Sequence, residues 1–174
     1  MNMSEGPVCR HVRSSSRYAV AAVLVLLIPL QSGATGAGVN AAEAKVEVRY
    51  RHAQFHRLEK AFHSLARGLE ASPPKFPQMS RRATEIADLS KELVTWFPKG
   101  SGPTSGVDTR AKPKIWSEVG KFHSAAAGFS DRARLLMRAI AAHDAPEARQ
   151  QFRSVGHACL DCHEEFRRSN WWIW

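Results

Sequence analysis

The chain has 174 residues, 44% of them apolar, enough for one domain with a packed core, and a formal net charge of +9. Its 25 lysines and arginines are scattered rather than gathered in one run, which argues against nucleic acid as a partner, and its three cysteines are too few for a disulfide-built scaffold. No Gly-rich phosphate loop, Gly-x-Ser-x-Gly elbow or metalloprotease helix motif occurs, so no enzyme is expected.

Arg10, Arg13 and Arg17 precede a 13-residue apolar run, Tyr18 to Leu30, and a small-residue stretch follows. The run is short of the ~20 residues that cross a bilayer as a helix. The pattern is that of a cleavable export signal over residues 1–41, with Val39-Asn40-Ala41 the best cleavage site, Ala34 or Ala37 the alternatives, and an uncleaved anchor the weaker reading. Export to the periplasm is therefore expected, with one domain over 42–174. Losing the signal removes three arginines and one glutamate from the +9 total and leaves +7, a basic surface that suits an acidic redox partner protein.

The first helix is expected from about Ala42 to Leu69, where Phe55, Leu58, Phe62, Leu65 and Leu69 recur at steps of three and four. Ser72-Pro73-Pro74 and Pro77 break it. A second pattern, Ile86, Leu89, Leu93 and Trp96, runs until Pro98, and the segment from Pro98 to Pro113 reads as a loop. The third helix carries Ile115, Val119, Phe122, Phe129, Leu136 and Ile140 and reaches about Ala142. Asp144-Ala145-Pro146-Glu147 then has the form of a capping box and opens a fourth helix, whose apolar stripe is Phe152, Val155, Cys159, Cys162 and Phe166. Four amphipathic helices without strand periodicity predict an all-α, antiparallel four-helix bundle.

Both remaining cysteines lie on that stripe, and His163 follows the second at once. Zinc would need four ligands, yet no second Cys-x-x-Cys occurs and His157 shares the same turn. A redox dithiol usually sits at a helix N-terminus after a strand; this pair lies deep in a helix. Covalent haem uses every residue: two thiols add to the two porphyrin vinyl groups, and the adjacent histidine ligates iron. The attachment also requires export. One covalently bound haem c near the C-terminus is expected, with Cys159 and Cys162 as links and His163 as axial ligand. The competing reading is a haem-free helical module with a redox-active Cys-x-x-Cys.

With these motifs in place the chain resembles the class II c-type cytochromes, cytochrome c′ and relatives such as cytochrome c556, over nearly all of the exported part. The resemblance is carried by Cys159-Leu160-Asp161-Cys162-His163, by Phe166-Arg167, by Lys112-Pro113-Lys114-Ile115-Trp116-Ser117, by Phe97-Pro98-Lys99-Gly100-Ser101-Gly102 and by Tyr50-Arg51, where the usual following glutamine is His52. It implies that the residue four positions after Arg51 faces the distal side of the iron. Electron carriers of the family have methionine there; this chain has Phe55, and its exported part has only Met79 and Met137, both off the first helix.

A five-coordinate iron is therefore expected, serving one-electron transfer, binding of small gases such as nitric oxide, or both. The alternative is a low-spin bis-histidine carrier. At 100° per residue, with Phe55 as origin, Val48, Arg51, Leu58, Phe62 and Leu69 fall between about +20° and −60°. His52, His56 and His63 fall near +60°, +100° and +80°, on the flank of the stripe, with His52 the nearest candidate ligand. Arg51 and Arg167 are candidates for pairing with haem propionates or for solvated helix charges. The Trp171-Trp172-Ile173-Trp174 tail suits a haem-edge cover, a membrane contact or a homodimer interface.

Overall fold

The computed structural model describes residues 40–169. The expected export signal, apart from its last two residues, and the Trp171–Trp174 tail lie outside the described residues.

Five helices follow in order: α1 Ala41–Glu70, α2 Phe76–Glu92, the short α3 Lys114–Ser117, α4 Val119–Ala141 and α5 Ala145–Phe166. Short 3-10 turns occupy Leu93–Trp96 and Pro103–Ser105. Among the described residues there is no strand, only an isolated antiparallel bridge between Ala111 and Arg167. The four long helices make the expected bundle, packed in the cyclic order α1, α2, α4, α5 around Leu65, Ile86, Trp96, Leu136, Ile140 and Val155.

The helix boundaries depart from the sequence reading in three places, each with a physical cause. Pro77 does not break a helix; it lies in the first turn of α2, where its missing N–H costs nothing, so α2 starts about ten residues before Ile86, the first position of the expected pattern, and already seats Phe76 and Met79 on the core. The third helix is interrupted at Glu118 (φ −120°, ψ 49°), which seats Ile115 in the core but turns Val119 outward, 46% exposed. At α5 only half of the capping box forms: Asp144 Oδ1 accepts the Glu147 N–H at 3.0 Å, while the Glu147 carboxylate accepts from Gln151 instead. The complete box is at α1, where the Asn40 side chain accepts from Ala42 and Glu43 and Glu43 returns to the Asn40 N–H at 2.9 Å. Cleavage after Ala41 would remove that cap; cleavage after Ala34 or Ala37 keeps it.

Three sides of the bundle are closed by long helix pairs; the fourth, between α1 and α5, is closed only at one end. There Arg149 on α5 donates to the Leu69 carbonyl at 3.0 Å, Phe62 stacks on Phe152 at 4.2 Å, and a Cβ on Gly156 would stand 3.5 Å from Phe62. Beyond Gly156 the two helices part. The 97–112 segment spans the far end, held to α1 through Arg51 and to α5 by Lys112 N–H to the Phe166 carbonyl at 2.8 Å and Arg168 N–H to the Arg110 carbonyl at 2.7 Å.

Candidate haem site

Cys159 and Cys162 project from one face of α5 a single turn apart, half-buried against the core, both as free thiols. Burial pushes each thiol up to about 11, with the neighbouring Cys159 adding to the shift at Cys162. Both are therefore protonated at neutral pH, the opposite of the lowered pKa that an attacking dithiol needs. Among the described residues no group of three or more His, Cys, Asp or Glu side chains is arranged to hold a metal ion.

His163 is exposed on the next position of the helix. Desolvation by the surrounding chain, then the charges of Arg167 and Arg110, hold its imidazole below the usual range. The neutral ring that binds metals is thus the form present at pH 7.

The antiparallel register of α1 and α5 says what faces this group. It pairs Leu69 with Arg149 and Phe62 with Phe152 and Gly156. Continued two turns along α1, the same register brings Phe55 level with Cys159–His163. Phe55, Leu58 and Phe62 on α1 and Phe152, Cys159 and Cys162 on α5 all sit at core spacing, yet all are only half-buried. Two facing apolar stripes that stop short of burial, with two thiols in one of them, fit a flat apolar group lying between the helices. Cys162 also borders a crevice of about 280 Å³ toward α4, beside Ala125, Gly128 and Phe166.

The wall behind Phe55 is aromatic. Trp96 meets it edge-on at 5.3 Å and Phe97 at 6.2 Å. Trp96 is completely buried, and its Nε1 is the one buried side-chain polar atom without a partner among the described residues. A polypeptide rarely leaves such a donor unmatched, so its acceptor is expected to come with the bound group. The donor set and the apolar stripes both fit haem, with Cys159 and Cys162 to hold it and His163 to meet its iron.

Arg51 is not the solvated charge that one sequence reading allowed. It is 2% exposed and donates to the Trp96 carbonyl, Ser101 Oγ, the Ser101 carbonyl and Thr109 Oγ1 at 3.0–3.3 Å, with its guanidinium over the Phe97 ring at 4.7 Å. Burial lowers its pKa to about 10, against the opposing pull of Glu47, so it stays charged at neutral pH. Four of its five donors are engaged, leaving only Nε for a propionate. The signal for this was in the sequence, since Arg51 falls within the angular range of the buried stripe. Arg51→Met is expected to lower unfolding free energy by about 2–4 kcal/mol in denaturant titration with haem still attached, because several buried acceptors lose their donor together.

His52, His56 and His63 are all exposed; His56 and His63 both turn to Glu59, at 3.3 and 3.9 Å. Met79 packs under Gly68, whose added Cβ would stand 2.5 Å from Met79 Cγ, at the closed end of the bundle, and Met137 lies on α4. Arg167 is exposed just past the end of α5, its N–H donating to the His163 carbonyl at 3.0 Å. The two loop segments quoted for the resemblance meet in space: Trp116 Nε1 donates to the Phe97 and Pro98 carbonyls at 3.1 Å, and its ring fills the place that a Cβ on Gly102 would need.

A family model described as Cytochrome C' matches residues 46–167. The cytochrome c′ of Pararhodospirillum photometricum is 28% identical over 127 residues, covering 72% of this chain and 99% of its own. A solved ferrous variant of the Alcaligenes xylosoxidans cytochrome c′ with bound nitric oxide superposes with a TM-score of 0.66 at 22% identity, covering 76% of this chain and 98% of that one. A solved cytochrome c′ with an unusual ligand-controlled dimer dissociation gives 0.65 at 24% identity, over 76% and 100% of the two chains.

Proposed function

Because the chain belongs to the cytochrome c′ family and is a haem c protein, we propose that it holds a five-coordinate iron used for one-electron exchange, for binding of small neutral gases, or for both. Cys159 and Cys162 carry the thioether links and His163 is the axial ligand. The haem supplies a one-electron iron couple and an open coordination position; the polypeptide decides what reaches that position.

The observation that carries this reading is Phe55. It offers no ligand, it stands level with the Cys159–His163 turn, and no methionine or inward histidine shares its face of α1. Phe55, Trp96 and Phe97 make the wall of the same region aromatic. Nitric oxide and carbon monoxide then become the expected exogenous ligands, and the nitric oxide complex of the Alcaligenes xylosoxidans relative supports the extension to this chain. Among the described residues no helix is long and apolar enough to cross a membrane. The export-signal pattern of residues 1–41 supports an exported, periplasmic protein, and a role without enzymatic activity is part of the same proposal. The relative with ligand-controlled dimer dissociation supports a homodimer.

Absorption and electron paramagnetic resonance spectra of the purified protein in both oxidation states test the reading. High-spin signals and binding of carbon monoxide without displacement of a protein ligand are expected. A low-spin spectrum at neutral pH overturns five-coordination, and its loss in His52→Ala but not in His56→Ala would assign a bis-histidine carrier.

A further inference from the structure

The end of α5 gathers more positive charge than its own surroundings neutralise. The Ala111–Arg167 bridge and the backbone bonds on either side of it hold two chain segments, 110–112 and 166–168, side by side. Each brings cations to the same place: Arg110 and Lys112 from one, Arg167 and Arg168 from the other. Arg110 Nε donates to the Arg168 carbonyl at 3.4 Å, Arg168 donates to the Thr109 carbonyl, and Lys112 Nζ donates to the Glu164 carbonyl at 2.7 Å. These partners are all neutral. Among the described residues none of the four cations has a carboxylate within 4.0 Å, and the nearby Glu165 is already engaged with Lys114.

A helix C-terminus favours cations, but it carries only about half a negative charge, and Glu164 adds one more. Glu59 also acts on Arg167, so the four fixed positive groups leave a net excess of roughly one to two charges at an exposed corner that includes His163, joined to it through the Arg167–His163 backbone bond. Two turns before Arg167 along the same helix, Leu160 is 65% exposed between the two cysteines, with Asp161 and Glu164 next to it on α5. A cationic corner with an exposed apolar residue within reach, next to a redox group, is an arrangement that steers and seats a partner of opposite sign.

We propose that Arg110, Lys112, Arg167 and Arg168, with Leu160, form the docking face for an acidic redox protein, through which the electron enters and leaves on the His163 side. This rests on the electron-exchange part of the proposed function. The face is chosen by the pairing of the 110–112 and 166–168 segments, not by the overall basic charge, which is spread over every helix.

The test uses the haem-loaded protein. One electron passes from the ferrous protein to hexacyanoferrate(III), giving ferric protein and hexacyanoferrate(II), and the rate is followed by stopped flow against ionic strength. The wild-type rate constant is expected to fall steeply as salt is raised, because the screening length shrinks from about 30 Å at 0.01 M to about 10 Å at 0.1 M. Arg110→Gln with Lys112→Gln should lower the low-salt rate about threefold to tenfold and flatten its salt dependence, and Arg168→Lys should keep the wild-type rate. Oxidation by cationic tris(phenanthroline)cobalt(III) should rise in the Gln variant. An equal loss in Arg81→Gln, on the exposed face of α2, or no loss in the Gln variant, overturns the proposal. Titration with poly-glutamate, read by amide chemical shifts, decides the face independently: shifts confined to 110–112 and 160–168 support it, and dispersed or absent shifts overturn it. If neither oxidant reacts, electron exchange is the reading that fails, and the titration still decides whether this corner binds an acidic chain.

Discussion

Replacing Cys159 and Cys162 together by alanine is expected to leave no haem attached to the polypeptide after acid–acetone extraction, whereas the unaltered protein retains all of it. Each single variant should keep one thioether at most, with reduced yield. The expectation follows from the sequence and the packing together. Among the described residues these are the only two thiols, so no other described residue can replace them. Both are half-buried on one face of α5, level with Phe55 across the opening between α1 and α5. Covalent haem in the double variant would sink the assignment of the site. His163→Ala keeps both thiols, so it should retain attached haem but lose the normal axial ligation, visible in the absorption spectrum. His143, exposed at the α4–α5 turn, is the matching control, and its replacement should leave the spectrum unchanged.

The bundle and the position of both thiols on the inward stripe of α5 were legible because both depend on local order. The 3.6-residue spacing of Phe152, Val155, Cys159, Cys162 and Phe166 marks the buried stripe of α5 without knowledge of its neighbours. Arg51 shows where local reading stops. Its position on the stripe marked it as inward, but only the fold reveals that the 96–109 segment supplies four acceptors for it. Val119 shows the reverse error. Its spacing is that of a core residue, and the interruption at Glu118, which the period of three and four does not encode, rotates it outward. The opening between α1 and α5 was likewise invisible in sequence. Phe55, Leu58 and Phe62 have core spacing, and that they are only half-buried depends on how two helices distant in sequence diverge.

Phe55 carries the second large effect. Phe55→Ala is expected to raise the carbon monoxide association rate by about tenfold or more and to tighten binding, while Phe55→Met is expected to convert the iron to a low-spin, six-coordinate state that binds carbon monoxide only after the thioether leaves. A tenfold change corresponds to about 1.4 kcal/mol. That is within what a half-buried phenyl ring accounts for, since a fully buried one removed to alanine typically costs 3–5 kcal/mol. The ring is held by Trp96 at 5.3 Å and Phe97 at 6.2 Å, so it cannot swing away cheaply when a ligand enters. Its removal empties the space in front of Trp96 instead of letting the wall collapse, because Trp96 is itself fixed by complete burial and by the Arg51 bond to its carbonyl. The alanine variant should therefore lose stability and gain gas affinity together, a coupling that a mere surface residue would not show. Stopped-flow carbon monoxide binding gives the rate and thermal unfolding gives the stability. An unchanged association rate in Phe55→Ala would mean that a different residue faces the iron, and the half-buried neighbours one and two turns along the same stripe, Leu58 and Phe62, would then be the positions to vary.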